Sequence, residues 1–174
     1  PALLIVLCLL AGAAAMVAMA VGTRDGEPGV PDCGEGPTVP GIDVSYHQDK
    51  IHWPKVRKAG IRFAFIRVSD GTTVEDPRFD ENWAAAKQAH VLRGAYQFFR
   101  PEQSPTAQAD LLIAAIARDG GELAPVIDVE ATGGKAPAQI AKAIKIWIER
   151  VRSRLGVEPI IYTSPAFWRD SVGG

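Results

Sequence analysis

Residues 123–134 read LAPVIDVEATGG, an apolar run that closes on two carboxylates, Asp128 and Glu130. A short aliphatic run without a polar interruption is typical of a strand that is buried on both faces, as in a parallel sheet. An amphipathic helix is predicted next at 138–155, and another apolar strand at 158–163. Strand, helix and strand in this order predict a βαβ unit, whose two strands run parallel.

The same alternation extends over the preceding residues. Strands are predicted at 39–45, 62–69, 92–99, 123–129 and 158–163. Helices are predicted at 53–59, 82–90, 105–118 and 138–155. The chain is therefore predicted to be an α/β protein with a parallel sheet. Two architectures remain open, a (β/α) barrel of the TIM type and a doubly wound open sheet, although the GxGxxG of a dinucleotide fold does not follow the first strand.

Composition divides the chain into three parts. Residues 1–22 include an uncharged apolar run at 2–22, which predicts a signal peptide or a membrane anchor and hence an exported domain. Residues 23–39 are rich in Gly and Pro and are predicted to be a linker. Residues 40–174 carry the alternating elements, but a complete barrel needs about 200 residues. We therefore expect an incomplete barrel that lacks C-terminal strands.

Charge and cysteine content narrow the class of function. The net charge is −1 and no long run of Lys or Arg occurs, which argues against a nucleic-acid partner. The two cysteines, Cys8 and Cys33, define no disulfide framework.

Polar and aromatic side chains close the predicted strands, and the carboxyl ends of parallel strands meet at one rim. They are Asp43, Arg67, Tyr96, Phe98, Asp128, Glu130 and Tyr162. Asp128 and Glu130 are two residues apart, so on a strand they share a face about 6–7 Å apart. Two close carboxylates repel, so one pKa should rise, and a raised Glu is a proton donor near neutral pH.

Such a pair suits cleavage of a glycosidic bond, in which one acid protonates the leaving oxygen and a second carboxylate stabilises positive charge. The aromatic residues suit the apolar faces of sugar rings. Arg67 either marks the site or pairs with an acid across the sheet. A metal site built from Asp43, His47, Asp128 and Glu130 is the rival interpretation, but no HExxH or His-x-His pattern supports it. No metal or cofactor is therefore predicted, and Trp83 and Trp147 are assigned to the core.

Taken together, the motifs resemble one family. Gly41-Ile42-Asp43-Val44-Ser45, followed by Gln48 and Trp53, resembles the opening of the glycoside hydrolase family 25 lysozymes, the Chalaropsis-type muramidases. The segments FIRVSDG, GAYQFF, PVIDVE and IYT are similar to that family's second to fifth strands, at residues 65–71, 94–99, 125–130 and 161–163. The chain departs from the family pattern at Asp49, His52 and Gln97, where Gly, Asp and His are usual.

The resemblance implies a (β/α)5(β)3 barrel that hydrolyses the β-1,4 bond between N-acetylmuramic acid and N-acetylglucosamine in peptidoglycan. It implies that Glu130 is the acid/base, that Asp128 orients the substrate's N-acetyl group for substrate-assisted retention, and that Asp43 supports the site. The expected substrate-binding residues are Gln48, Arg67, Tyr96, Phe98 and Tyr162. We expect a monomer whose partner is the peptidoglycan glycan strand. A non-catalytic peptidoglycan-binding module on the same fold is the alternative.

Overall fold

The computed structural model describes residues 36–173, of which Val39 onward belongs to one unit, Val39–Gly174. Its strands are β1 Gly41–Val44, β2 Phe63–Asp70, β3 Val74–Glu75, β4 Leu92–Phe98, β5 Val126–Asp128 and β6 Ile160–Tyr162. Its α-helices are α1 Trp53–Lys58, α2 Phe79–Gln88, α3 Pro105–Ile116, α4 Pro137–Leu155 and α5 Pro165–Phe167. A 3-10 turn at Tyr46–Gln48 follows β1, and a π-helical segment at Trp168–Val172 follows α5.

The order of the strands distinguishes between the two predicted architectures. The sheet runs β1-β2-β4-β5-β6 with every pair parallel, and β3 alone is antiparallel, on the end of β2. Each new parallel strand is thus added on the same side of its predecessor. A doubly wound sheet would reverse this order at a switch point, whereas a (β/α) barrel does not. The α/β fold with a parallel sheet is confirmed, and its order is that of a barrel.

Local sequence explains where the long helices begin and end. Ser104 caps α3 by accepting a hydrogen bond from the backbone N–H of Ala107, and Pro105 occupies the first turn, where its missing N–H costs nothing. Gly156 ends α4 with a φ of 71°, a left-handed conformation that glycine adopts freely. The apolar stripe of α4 is buried against the sheet at Ile140, Ile144, Trp147 and Val151. The predicted core positions Trp83 and Trp147 are confirmed.

Two glycines let aromatic rings fill the lower part of the sheet's inner face. The ring of Phe63 occupies the space that a side chain at Gly41 would need, and the ring of Phe65 does the same at Gly94. The two rings meet edge to face, with centroids 6.0 Å apart. Because these rings fill the inner face near the starts of the strands, the polar groups nearer the strand ends lie above an apolar floor.

Some predicted boundaries were wrong. The strands at β5 and β6 are shorter than predicted, and α2 begins three residues earlier, at Phe79. The sequence analysis also missed β3, because two exposed residues carry no apolar signal. The predicted signal peptide or anchor lies outside the described residues. Among residues 36–173, no helix has the length and hydropathy that crossing a bilayer requires.

Candidate active site

The strand register brings the predicted side chains to one face. In a parallel pair, residues in register point to the same side of the sheet. Phe98 is in register with Asp70 on one side and with Asp128 on the other, and Asp128 is in register with Tyr162. Four strands therefore contribute one lateral row at the carboxyl rim. Arg67 and Tyr96 are in register one step below it.

A β-bulge in β2 makes this row possible. Arg67 pairs with Tyr96 and Ser69 with Gln97, which leaves Val68 as the extra residue. In a regular strand, residues 67 and 70 would point to opposite faces, because side chains alternate with a period of two. The bulge shifts the alternation by one residue. Arg67 and Asp70 therefore both face the rim, while Val68 and Ser69 lie buried on the helix side.

Asp128 is the most strongly perturbed acid of the site. It ends β5 with 8% of its surface exposed, and its Oδ1 is buried without a hydrogen-bond partner among residues 36–173. Burial, and then the charges of Glu130 and Asp43, raise its pKa to about 8, against the opposing charge of Arg67. At neutral pH this carboxyl is mostly protonated. One pKa of the acid pair does rise, as expected, and it is that of Asp128.

Glu130 lies past the end of β5, and its side chain is exposed. Its charge raises the pKa of Asp128 and of Tyr162, so it acts on the same cleft from the loop that follows the strand. Asp43, on β1, is accessible in the cleft, yet partial desolvation raises its pKa. The structure thus brings Asp43, Asp128 and Glu130 into one electrostatically coupled group.

The aromatic side chains border this acidic group. Tyr96 and Tyr162 are half-buried, and desolvation raises the pKa of both phenols, with a further contribution from the charges of Asp43 and Asp128. The guanidinium of Arg100 lies 4.6 Å from the centroid of the Phe98 ring and covers one face of it. That face of Phe98 is therefore not open to a ligand.

An ion pair between Arg100 and Asp70 forms the edge of the site. Arg100 donates from Nε and Nη2 to both carboxylate oxygens of Asp70, at 2.5 and 2.7 Å. The same loop is tied to the β2–β3 turn, because the side-chain oxygen of Gln103 accepts hydrogen bonds from the backbone N–H and hydroxyl of Thr72. Two loops of the rim are thus cross-linked next to the row of site residues.

Gln48 has a local role in the structure. Its Oε1 accepts a hydrogen bond of 2.7 Å from the backbone N–H of Ser45, which fixes the 3-10 turn after β1. Gln97 faces the helix layer, where its Oε1 accepts a hydrogen bond from Trp147 Nε1 and its Nε2 donates to the hydroxyl of Ser69. Within residues 36–173, no group of three or more His, Cys, Asp and Glu side chains is arranged to hold a metal ion.

Three residues of the site were missed by sequence reasoning. Asp70 and Arg100 lie at strand ends, so their position could have identified them. Asp76 follows β3 and carries no such signal, yet its Oδ2 accepts hydrogen bonds from Arg67 Nε at 3.1 Å and from the backbone N–H of Tyr46 at 2.9 Å.

Comparison with known families agrees with this geometry. The family model described as glycosyl hydrolases family 25 matches residues 42–174. The chain belongs to glycosyl hydrolase family 25. The match begins in β1 and includes every strand that carries a site residue.

Curated relatives of the chain come from several organisms. The chain is 36% identical over 145 residues to Lysozyme M1 of Streptomyces globisporus, covering 78% of this chain and 49% of that protein. It is 37% identical over 142 residues to the uncharacterised protein YegX of Escherichia coli O6:H1, covering 79% of this chain and 52% of that protein. The chain therefore spans about half the length of these curated relatives.

Solved structures of a lysozyme and a muramidase share the fold. A bacterial lysozyme from Streptomyces coelicolor superposes with a TM-score of 0.69 at 35% identity, over 76% of this chain and 66% of that one. The muramidase from Trichobolus zukalii gives a TM-score of 0.70 at 29% identity, over 78% of this chain and 70% of that one.

Proposed function

We propose that the protein is a lysozyme that hydrolyses the β-1,4 bond between N-acetylmuramic acid and N-acetylglucosamine in peptidoglycan. The observation that carries the proposal is the contrast within one acid pair. Asp128 is buried with an unpartnered oxygen and a pKa of about 8, while Glu130, two residues later, is exposed to the cleft. The names of the relatives, lysozyme and muramidase, support the same substrate class.

Glu130 is proposed as the acid/base because its side chain is exposed and can therefore contact the glycosidic oxygen of a bound glycan strand. It gives its proton to that oxygen as the bond to the anomeric carbon breaks. The acetamido oxygen of the same sugar forms the new bond to the anomeric carbon. Water then attacks this carbon and returns a proton to Glu130, and the acetamide reforms with the anomeric configuration retained.

Asp128 is proposed to hold the acetamido group during these steps. Its buried Oδ1 has no partner among the described residues, and leaving a buried oxygen unbonded costs about 1–3 kcal/mol. The N–H of the substrate's acetamide can supply the missing hydrogen bond. Asp43 is proposed to support this arrangement from β1, and Arg67, Tyr96, Phe98 and Tyr162 to line the cleft for the sugar rings. Gln48 is proposed to act through the turn it caps.

The proposed substrate lies outside the cytoplasm. A domain that acts on peptidoglycan must reach the cell wall, in agreement with the apolar run at 2–22, which stays a prediction of a signal peptide or anchor. The peptidoglycan strand is the proposed partner, and the domain is proposed to act as a monomer.

The test uses purified peptidoglycan and the full-length protein that contains this chain. We expect turbidity to fall and new reducing ends to appear, and Glu130→Gln to reduce the rate by about 10²–10⁴-fold, the usual contribution of an acid/base. Glu149→Gln, on the exposed side of α4, is the matched control and should keep full activity. NMR of the first product should show the β anomer.

Other results would point elsewhere. Equal activity of Glu130→Gln and the wild type would remove Glu130 from the acid/base role. Binding of peptidoglycan without any new reducing ends would favour the non-catalytic module. Loss of activity with a chelator would favour a metal-dependent reaction.

A further inference from the structure

Asp76 is a buried acid to which the proposed reaction gives no role. Its side chain is 1% exposed and both of its oxygens are engaged. Oδ2 accepts from the backbone N–H of Tyr46 and from Nε of Arg67, and Oδ1 accepts from the backbone N–H of Arg78 at 3.0 Å. Asp76 therefore joins the turn after β1, the middle of β2 and the start of α2.

Arg67 is held on two sides. Its side chain is 9% exposed, its Nε is bonded to Asp76, and its guanidinium carbon lies 4.9 Å from the centroid of the Tyr46 ring. A hydrogen bond at the edge and a ring against the face together define one orientation of the planar guanidinium.

This orientation matters because Arg67 has another anionic neighbour. Asp128 faces the same side of the sheet and keeps a buried oxygen without a partner, although the charge of Arg67 reaches it. A buried carboxyl near an arginine would ordinarily form an ion pair with it. Asp128 is instead surrounded by groups that do not neutralise it. They are Glu130 from the loop after β5, Asp43 from β1, Asp70 from β2, Tyr96 from β4 and Tyr162 from β6.

We infer that Asp76 is a positioning residue that anchors the Arg67 guanidinium against the Tyr46 ring and so withholds it from Asp128. Asp128 then stays unpaired and open to a hydrogen bond from the substrate. The catalytic consequence rests on the proposed function, whereas the placement of Arg67 does not.

The first test follows the ionisation of Asp128 by carboxyl ¹³C NMR, with its signal assigned by its loss in Asp128→Asn. Asp76→Asn keeps the size of the side chain but removes its charge, so Arg67 is released toward Asp128. A close cation favours the ionised form, and the titration midpoint of Asp128 should fall by about one to two units. Asp80→Asn, on the exposed first turn of α2, is the matched control and should leave the midpoint unchanged.

A double-mutant cycle separates the release of Arg67 from the simple loss of a negative charge. If Asp76 acts through Arg67, adding Asp76→Asn to Arg67→Gln should produce no further shift of the midpoint. A shift of the same size in both backgrounds would overturn the inference, as would an unchanged midpoint in a folded Asp76→Asn protein. Asp76→Glu, which keeps the charge, should restore the wild-type midpoint.

The kinetic readout distinguishes positioning from a purely structural role. We expect Asp76→Asn to lower kcat about tenfold or more with a smaller change in KM, because the paired Asp128 no longer serves the acetamido group. Reduced thermal stability with unchanged kcat would overturn the inference. If the wild type does not hydrolyse peptidoglycan, the proposed function fails. The NMR titration still tests whether Asp76 keeps the Arg67 guanidinium away from Asp128.

A measurement on the wild type covers the case in which Asp76→Asn does not fold. The Nε–H signal of Arg67 should remain protected from exchange and should not follow the titration of Asp128. An Nε–H signal that moves with the Asp128 midpoint would show a direct pair between the two residues and would overturn the inference.

Discussion

The two ends of the sheet differ in whether a buried ionisable side chain has hydrogen-bonded partners. At the amino end, the Arg93 side chain is fully buried and donates hydrogen bonds to the carboxylates of Asp119 and Glu122 and to the backbone oxygen of Gly120. Its guanidinium also lies 4.5 Å from the centroid of the Trp83 ring. At the carboxyl end, Asp128 is buried with an oxygen that has no partner among the described residues.

The difference distinguishes a stabilising cluster from the proposed active site. The Arg93 cluster satisfies its charges internally, and Arg93 holds the pKa of Glu122 below its usual range by hydrogen bonding. The Asp128 cluster raises a pKa instead, because burial is not compensated by a bonded cation. Uncompensated polar groups destabilise a fold and are retained where a ligand can complete them.

The largest expected effect is at the amino end. Arg93→Met should lower the free energy of unfolding at pH 7 by about 2–3 kcal/mol, because the buried guanidinium is lost together with its hydrogen bonds to two partly exposed carboxylates and a backbone oxygen. Because the pKa of Glu122 is lower in the folded protein than its unfolded value of 4.5, the carboxylate stabilises the fold fully at pH values above 4.5. This contribution is lost as the pH falls through the folded pKa. The difference from wild type should therefore shrink toward pH 3.

Denaturant unfolding at pH 7 and pH 3 measures both parts of this prediction. Arg150→Met is the matched control, since Arg150 forms a partly exposed pair with Asp110 and should cost much less stability than the Arg93 change. An equal decrease in the free energy of unfolding in the two variants would contradict the prediction that the buried arginine contributes more stability than the partly exposed one.

The next largest effect is expected at Asp128, where a substitution should increase the free energy of unfolding. The pKa of Asp128 rises from 3.8 unfolded to about 8 folded, so its ionisation opposes folding progressively as pH increases between these values. Asp128→Asn cannot ionise, so it should raise the free energy of unfolding above that of the wild type at pH 7, while little gain remains at pH 3.5. The same variant should lose most of its hydrolytic activity.

Thermal unfolding between about pH 3.5 and pH 7 measures the stability gained by Asp128→Asn. Asp80→Asn, at an exposed position, is the reference for a change that does not depend on pH. A pH-independent difference between Asp128→Asn and wild type would show that Asp128 is not the destabilising acid.

The smallest effect is expected at the rim pair of Asp70 and Arg100, which is intermediate in burial. Asp70→Asn should lower the free energy of unfolding by under about 1 kcal/mol, because solvent screens a partly exposed ion pair. It should also lower the midpoint of Asp128 slightly, since the charge of Asp70 contributes to raising that pKa. Asp110→Asn is the control for loss of a comparable pair away from the site, and it should leave the Asp128 midpoint unchanged.

Much of the fold could be predicted from local sequence. Aliphatic runs such as that before Asp128 identify strands, and the amphipathic stripe of α4 with Gly156 at its end identifies a helix. The candidate acids could be predicted as well, because Asp43 and Asp128 each close a strand and parallel strands end at a common rim.

Other features depend on contacts between segments that are distant in sequence. The bulge at Val68 is decided by the pairing of β2 with β4 and not by the sequence of β2 alone. The carboxylate partners of Arg93 lie 26 and 29 residues later, and an arginine in a strand gives no indication of which loop it will bind. The burial that raises the pKa of Asp128 to about 8 is likewise a property of the folded cleft.

The sequence by itself determined the alternation of strands and helices, the placement of acids at strand ends and the resemblance to family 25, because periodicity and motif spacing are local. Only the tertiary structure decided which charges are satisfied and which are not. Arg67 could have paired with either Asp76 or Asp128, and the turn after β1 and the start of α2 bring Asp76 to its Nε. Electrostatic pairing depends on distance and burial, and both quantities exist only once the chain has folded.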